Sequence, residues 1–181
     1  MTQSPPSPTA LRVSGLSQNA PTPFELRPPK ARLAELATEL DLLGLRKLSF
    51  VGQISALGTA DWQLDATLGA TVVQPCAVTV EPVTTRIDVP VRRAYQKDFV
   101  EVDAPEAEIL EDDTVEPLSM WIDPAEVMIE ALLLNLPLYP RAPGAELGAL
   151  SVSEPGVRPM TDEDARPFAG LAGLKEQLKD D

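Results

Sequence analysis

The chain has 181 residues, with a single cysteine and no histidine, so the side chains able to do chemistry are few. Cys76 lies in TVVQPCAVTVEPV, residues 71–83, and by residue type it is a nucleophile, a metal ligand or core. A tetrahedral zinc site cannot be completed around it, because no second cysteine and no histidine exist to join it. Within a strand Cys76 shares parity with Val78 and Val80, and free cysteine is among the residue types most often buried. The expectation is therefore a core residue. The same scarcity excludes an internal disulfide and the commonest general base.

Carboxylates are plentiful in DFVEVDAPEAEILEDDTVE, residues 98–116: Glu101, Asp103, Glu106, Glu108, Glu111, Asp112 and Asp113. Such groups serve as acid and base or hold a hard cation. Their spacing matches no EF-hand loop, however, and no glycine stands at the required turn, so a solvated loop is expected. A nucleophile elbow, a phosphate-binding glycine loop of the Walker type and a dinucleotide fingerprint are all missing. The reading is a non-enzyme with no cofactor. The remaining chemistry is cationic: Arg46, Lys47, Arg86, Arg92, Arg93 and Lys97. Strand alternation projects Arg86 and Arg92 outward together, with Arg93 and Lys97 extending the patch toward the strand end. Clustered Lys and Arg suffice for phosphate contact, which makes Arg86, Arg92, Arg93 and Lys97 the candidate RNA-binding set. Tyr95, between them, is placed to stack on a base. Ordinary solubilising charge is the alternative.

Net charge sharpens this picture. At −13 the whole chain is too acidic for a general nucleic-acid binder. Residues 1–97 nevertheless hold 10 Lys and Arg against 8 Asp and Glu, while residues 98–181 hold 5 against 20. The first half can present a local basic patch; the second repels phosphate and attracts cations or basic partners.

The elements that must position these groups follow from periodicity. Residues 1–23 are rich in Ser, Pro and Thr without apolar period and are expected to be disordered. After Pro28 and Pro29, Leu33, Leu36, Leu40 and Leu43 repeat at helical spacing, with Gly44 where a C-terminal cap belongs. The period then changes. Leu48, Phe50 and Ile54 share one parity, Trp62, Leu64, Ala66 and Leu68 another run, with a Gly-containing turn between them, predicting a β-hairpin. AVTV (77–80) and TRIDVPV (85–91) are expected to continue the sheet, the latter on an edge because of Pro90. In IDPAEVMIEALLLNLPLYP, Asp123 caps a helix, Pro124 fills its first position, Glu126 completes a capping box, and Pro137 ends it. A Pro/Gly-rich linker over 141–163 leads to a short helix over 164–181. There Phe168, Leu171 and Leu174 form an apolar face for docking on a partner or on the chain's own domain. The predicted architecture is an α+β domain over 24–140, an antiparallel sheet with packed helices. No apolar run reaches the length of a membrane span and the first residues lack a secretory pattern, so no membrane role and a cytoplasmic location are expected.

The order of parts resembles the YceD family, the large ribosomal RNA subunit accumulation proteins of bacteria and plastids. The resemblance is carried by VVQPCAVTVEPV, by the acidic segment running into IDPAEVMIEALLLNLPLYP, and by the terminal PFAGLAGLK, and it extends from about Leu45 onward. It implies a ribosome-biogenesis factor supporting accumulation or processing of 23S rRNA, with precursor large-subunit particles as partner. The alternative is an acidic escort for a basic large-subunit ribosomal protein. Many members carry a Cys-x-x-Cys pair where this chain has Cys76 and Thr79, so a metal or redox role for the pair does not transfer.

Overall fold

A computed structural model of the chain describes residues 4–99 and 114–145. The alternating runs become three long strands, β3 (Gly44–Leu57), β4 (Asp61–Pro75) and β5 (Pro82–Gln96), joined as an antiparallel meander. Their shorter companions are β1 (Leu11–Arg12), β2 (Thr22–Leu26), β6 (Val115–Pro117) and β7 (Trp121–Ile122), with helices α1 (Lys30–Glu39) and α2 (Pro124–Leu134). The main sheet runs in the order β2-β3-β4-β5-β6, and β1 pairs with β7 separately. The fold is α+β as expected, with one correction. The sheet is mostly antiparallel but mixed, because β6 runs parallel to the last residues of β5.

Period two sends one face of the sheet inward. Trp62, Leu64, Leu68, Ala70 and Val72 of β4 are buried together with Phe50 and Ile54 of β3 and Ile87, Val91 and Tyr95 of β5. Leu36 and Ala37 of α1 and Val127, Met128, Ala131 and Leu132 of α2 complete the same cluster, so both helices cover this face. The opposite face carries Gln53, Asp65, Thr67, Arg86, Asp88 and Arg92.

Local chemistry explains the boundaries. Asp123 caps α2 by accepting from the Ala125 amide, with Pro124 at the first helical position. The end of α1 differs from expectation: the left-handed residue is Asp41 (φ 52°), not Gly44, which opens β3. The Leu42 and Asp41 amides return to the Ala37 and Thr38 carbonyls, a Schellman closure built on aspartate. β3 contains one extra residue between Arg46 and Ser49, with Lys47 at φ 51°. That bulge lets Leu45 and Leu48, of opposite parity, both face the core while Lys47 turns outward.

Two further expectations are corrected. AVTV is not a strand: residues 77–79 form the turn of the β4–β5 hairpin, closed by the Cys76 amide on the Glu81 carbonyl and the Val80 amide on the Cys76 carbonyl, with Val80 at φ 64°. Residues 4–23 are not featureless either. Leu11 pairs with Ile122, the Thr9 hydroxyl donates to Asp123, and Leu11, Val13 and Leu16 pack on the core. β5 is not an edge strand, but among the described residues β6 meets it only at Ala94–Gln96, away from Pro90. One compact unit spans Met1–Pro143 and a second Gly144–Asp181; the acidic stretch 101–113 and the expected terminal helix with Phe168, Leu171 and Leu174 lie outside the described residues.

The β3–β4 seam is tightest at Gly52, where a methyl group would lie 2.3 Å from the Asp65 carbonyl oxygen and 2.5 Å from Ala66 Cβ. Neither obstacle is a flexible side chain, so Gly52→Ala should lower stability by about 2–3 kcal/mol, read as a fall in the urea midpoint. An unchanged midpoint would mean that the seam is looser than these distances.

Candidate nucleic-acid interface

The four cations expected to form one patch do not share a surface. Arg86 and Arg92 lie on the open face of β5, as alternation requires. Arg93 has the opposite parity and is 9% exposed. Its Nη2 donates to Glu130 Oε1 at 2.7 Å, and its Nε lies 3.1 Å from Glu116 without the angle of a hydrogen bond. Arg93 therefore ties β5 to α2 and β6 and is largely withdrawn from the surface. Burial raises the Glu116 carboxyl, with Arg93 opposing the rise. Tyr95 is also withdrawn: it is 6% exposed, and burial raises its hydroxyl well above the ordinary range. It stacks on no ligand from that position. Lys97 follows the end of β5, where its amide donates to Asp61.

Of the two outward arginines, Arg92 is bound to Asp65 across the strand at 2.9 Å. Burial pushes the Asp65 carboxyl up, but hydrogen bonds from Gln63 and Arg92 outweigh it, and the net direction is down. Arg86 has the more specific setting. Its Nε donates to Asp88 at 2.7 Å, its Nη2 bonds the other oxygen of the same carboxylate, and its Nη1 reaches Thr71 Oγ1 at 3.4 Å. That pairing holds the Asp88 carboxyl below its ordinary value. The guanidinium lies over Gly69: a methyl there would stand 2.6 Å from Nη2 and 3.0 Å from Ser49 Oγ. Sequence reasoning found Arg86 and missed Gly69. The available signal was a glycine on the outward parity of an otherwise filled strand, paired in register with Asp88.

Cys76 is buried, as expected, though it stands outside the main hydrophobic cluster and in a turn instead of a strand. Its Sγ accepts from the amides of Val78, Thr79 and Ala142 at 3.3–3.4 Å. The Thr79 hydroxyl is the largest influence, followed by the Ala142, Thr79 and Val78 amides; burial opposes them, and the thiol falls from its ordinary 9.0 to about 6. The domain thus extends past the expected 140, since the Ala77 amide also donates to the Pro140 carbonyl. Among the described residues no cluster of three metal-ligating side chains occurs, and no helix is long and apolar enough to cross a membrane.

The sequence profile of the family described as "Large ribosomal RNA subunit accumulation protein YceD" matches residues 64–175. No curated protein and no solved structure matches the chain.

Two outcomes follow from the geometry. Arg93→Ala strands Glu116 and Glu130, which are 41% and 47% exposed, so the cost should be about 1–3 kcal/mol of stability, less than for a fully buried pair. A variant that melted as wild type but bound RNA poorly would return Arg93 to the interface. For Cys76, a thiol pKa lower in the folded than in the unfolded chain stabilises the fold fully above about pH 9 and loses that contribution as pH falls toward 6. The stability gap between wild type and Cys76→Ala, from urea titrations, should accordingly widen as pH rises from 6 to 9; a flat gap would exclude a folded-state thiolate.

Proposed function

The chain belongs to the YceD family, and we propose that it is a non-enzymatic, cytoplasmic factor that supports accumulation of 23S rRNA by binding RNA of large-subunit precursor particles. The observation that carries this reading is the family match, which spans residues 64–175 and so includes β5 with its outward Arg86 and the whole of α2. The geometry supports it in a limited way. The open face of the sheet presents cations held in place by neighbouring carboxylates, the arrangement that positions a phosphate contact without base readout. The acidic second half of the chain repels phosphate elsewhere and limits indiscriminate RNA binding.

The same imbalance favours one second reading. With 20 acidic and 5 basic residues, 98–181 suits a basic ribosomal protein, and an escort of that protein would need no RNA contact.

Sedimentation of the tagged protein through a gradient at ~0.1 M salt separates the two, because phosphate contacts survive at that ionic strength. Migration with large-subunit precursors, abolished by ribonuclease, is the expected result. Retention at the top with a free basic ribosomal protein would replace the assembly-factor reading with the escort. Retention at the top alone would overturn both.

A further inference from the structure

Arg86 does not converge with the cations nearest to it in sequence. It lines a cleft of about 540 Å³ with Arg27, Lys47, Ser49 and Thr71, contributed by the segment after β2, the β3 bulge and β4. We propose that this cleft is a seat for a backbone phosphate of RNA, with the Arg86 guanidinium laid over Gly69 as its preset clamp; the identity of the ligand rests on the RNA-binding reading above.

Three features build the seat. Asp88 engages the Nε and Nη2 edge of Arg86 and so orients the fork, leaving the Nη1 and Nη2 end, beside Thr71, for a second anion. Gly69 supplies the room, since any Cβ there would meet Nη2 at 2.6 Å. The bulge places Lys47 outward in a left-handed conformation that a regular strand would not give it. Glu25 and Asp88 are the carboxylates paired with the cations of the cleft, to Arg27 and Arg86 respectively. All four of these side chains are 45–69% exposed, so the ion pairs are weak; Arg27 exchanges Glu25 for phosphate at little cost, while Arg86 keeps Asp88 and offers its other end. Lys47 forms no ion pair with any described residue, and neither do Lys30 and Arg46, which line the adjoining groove with it. The chain of a polyanion leaving the seat therefore meets further positive charge. The hydroxyls of Ser49 and Thr71 add neutral donors for phosphate oxygens. Arg92, on the same face, lies outside the cleft and serves as the control.

Binding of a short fluorescent single-stranded RNA to the full chain, followed by anisotropy across a salt series, tests the seat. Arg27→Gln, Lys47→Gln and Arg86→Gln should each weaken binding about fivefold at ~0.1 M salt and reduce the slope of log K on log salt by about 0.7. Gly69→Ala changes no charge, and the three atoms nearest its added methyl all belong to side chains, Arg86 Nη2 first, so it should fold and bind as poorly as Arg86→Gln. Arg86→Lys, which keeps the charge and loses the fork, should resemble it and answers the same question if Gly69→Ala disturbs the sheet. Arg92→Gln should stay within about twofold of wild type, and inorganic phosphate should compete less well as each cleft cation is removed. Equal losses for Arg92→Gln and Arg86→Gln would overturn the seat in favour of diffuse charge. Undiminished binding by both Gly69→Ala and Arg86→Lys would overturn the clamp. Repeating the gradient with these variants separates the two readings: if wild type and cleft variants sediment alike with precursors, the seat is wrong and the function stands. If wild type binds RNA through the cleft but stays off the particles, the seat stands and the function does not.

Discussion

The register of β4 between its two long neighbours is the constraint from which the rest of this structure follows. Because side chains alternate strictly, a slip of one residue along β4 would carry Trp62, Leu64, Leu68 and Val72 to the open face and bring Asp65 and Thr67 into the core. The burial of these apolar residues against α1 and α2 is worth roughly 1.5–3 kcal/mol each, so the alternative register is strongly excluded. Gly52 pins the pairing further, since only a glycine tolerates the approach of Asp65 and Ala66 at that step.

Sidedness set in this way also decides which charges are free. Arg92 and Arg93 are adjacent in sequence, yet one is exposed on the open face and the other is sealed between β6 and α2. The bulge at Lys47 has the reverse effect. It interrupts the alternation so that Leu45 and Leu48 can both reach the core, and the residue extruded to permit this is a lysine. Packing demand and surface charge are thus satisfied by the same irregularity, which brings Lys47 into the cleft that Arg86 lines from β5.

What was legible in the sequence was what depends on neighbours a few residues apart. Asp123 and Pro124 mark the start of α2 because a cap is a local hydrogen bond, and β3, β4 and β5 announce themselves through long alternating runs. What was not legible depends on residues far away. Residues 4–23 look unable to fold because their partners, Ile122 and Asp123, lie more than a hundred positions downstream. β6 is too short to show a period, and its parallel pairing with β5 is a tertiary result. Arg93 parts from Arg86 and Arg92 for a related reason: proximity in sequence is not proximity in space, because a strand sends consecutive residues to opposite faces. Arg27 sits in a connection, where no periodicity indicates what it faces.

AVTV looks like a strand because apolar alternation continues across a turn whose signal is carried by φ, and valine at φ 64° is not a residue from which a turn is inferred. The strain at Val80 is sustained by the closure around it, two backbone hydrogen bonds linking Cys76 to Glu81 and Val80. Within that closure the sulfur faces the amides of Val78 and Thr79, with the Ala142 amide arriving from the segment after α2. N–H donors gathered around a sulfur favour its anionic form, here against the opposing effect of burial. Thr79, standing where a second cysteine would complete a Cys-x-x-Cys pair, turns its amide to the same sulfur and adds its hydroxyl as the largest influence on the thiol. The turn therefore does not need a second thiol to hold its shape. Its geometry is fixed by the backbone, and Cys76 is the acceptor that joins the β4–β5 hairpin to the segment after α2.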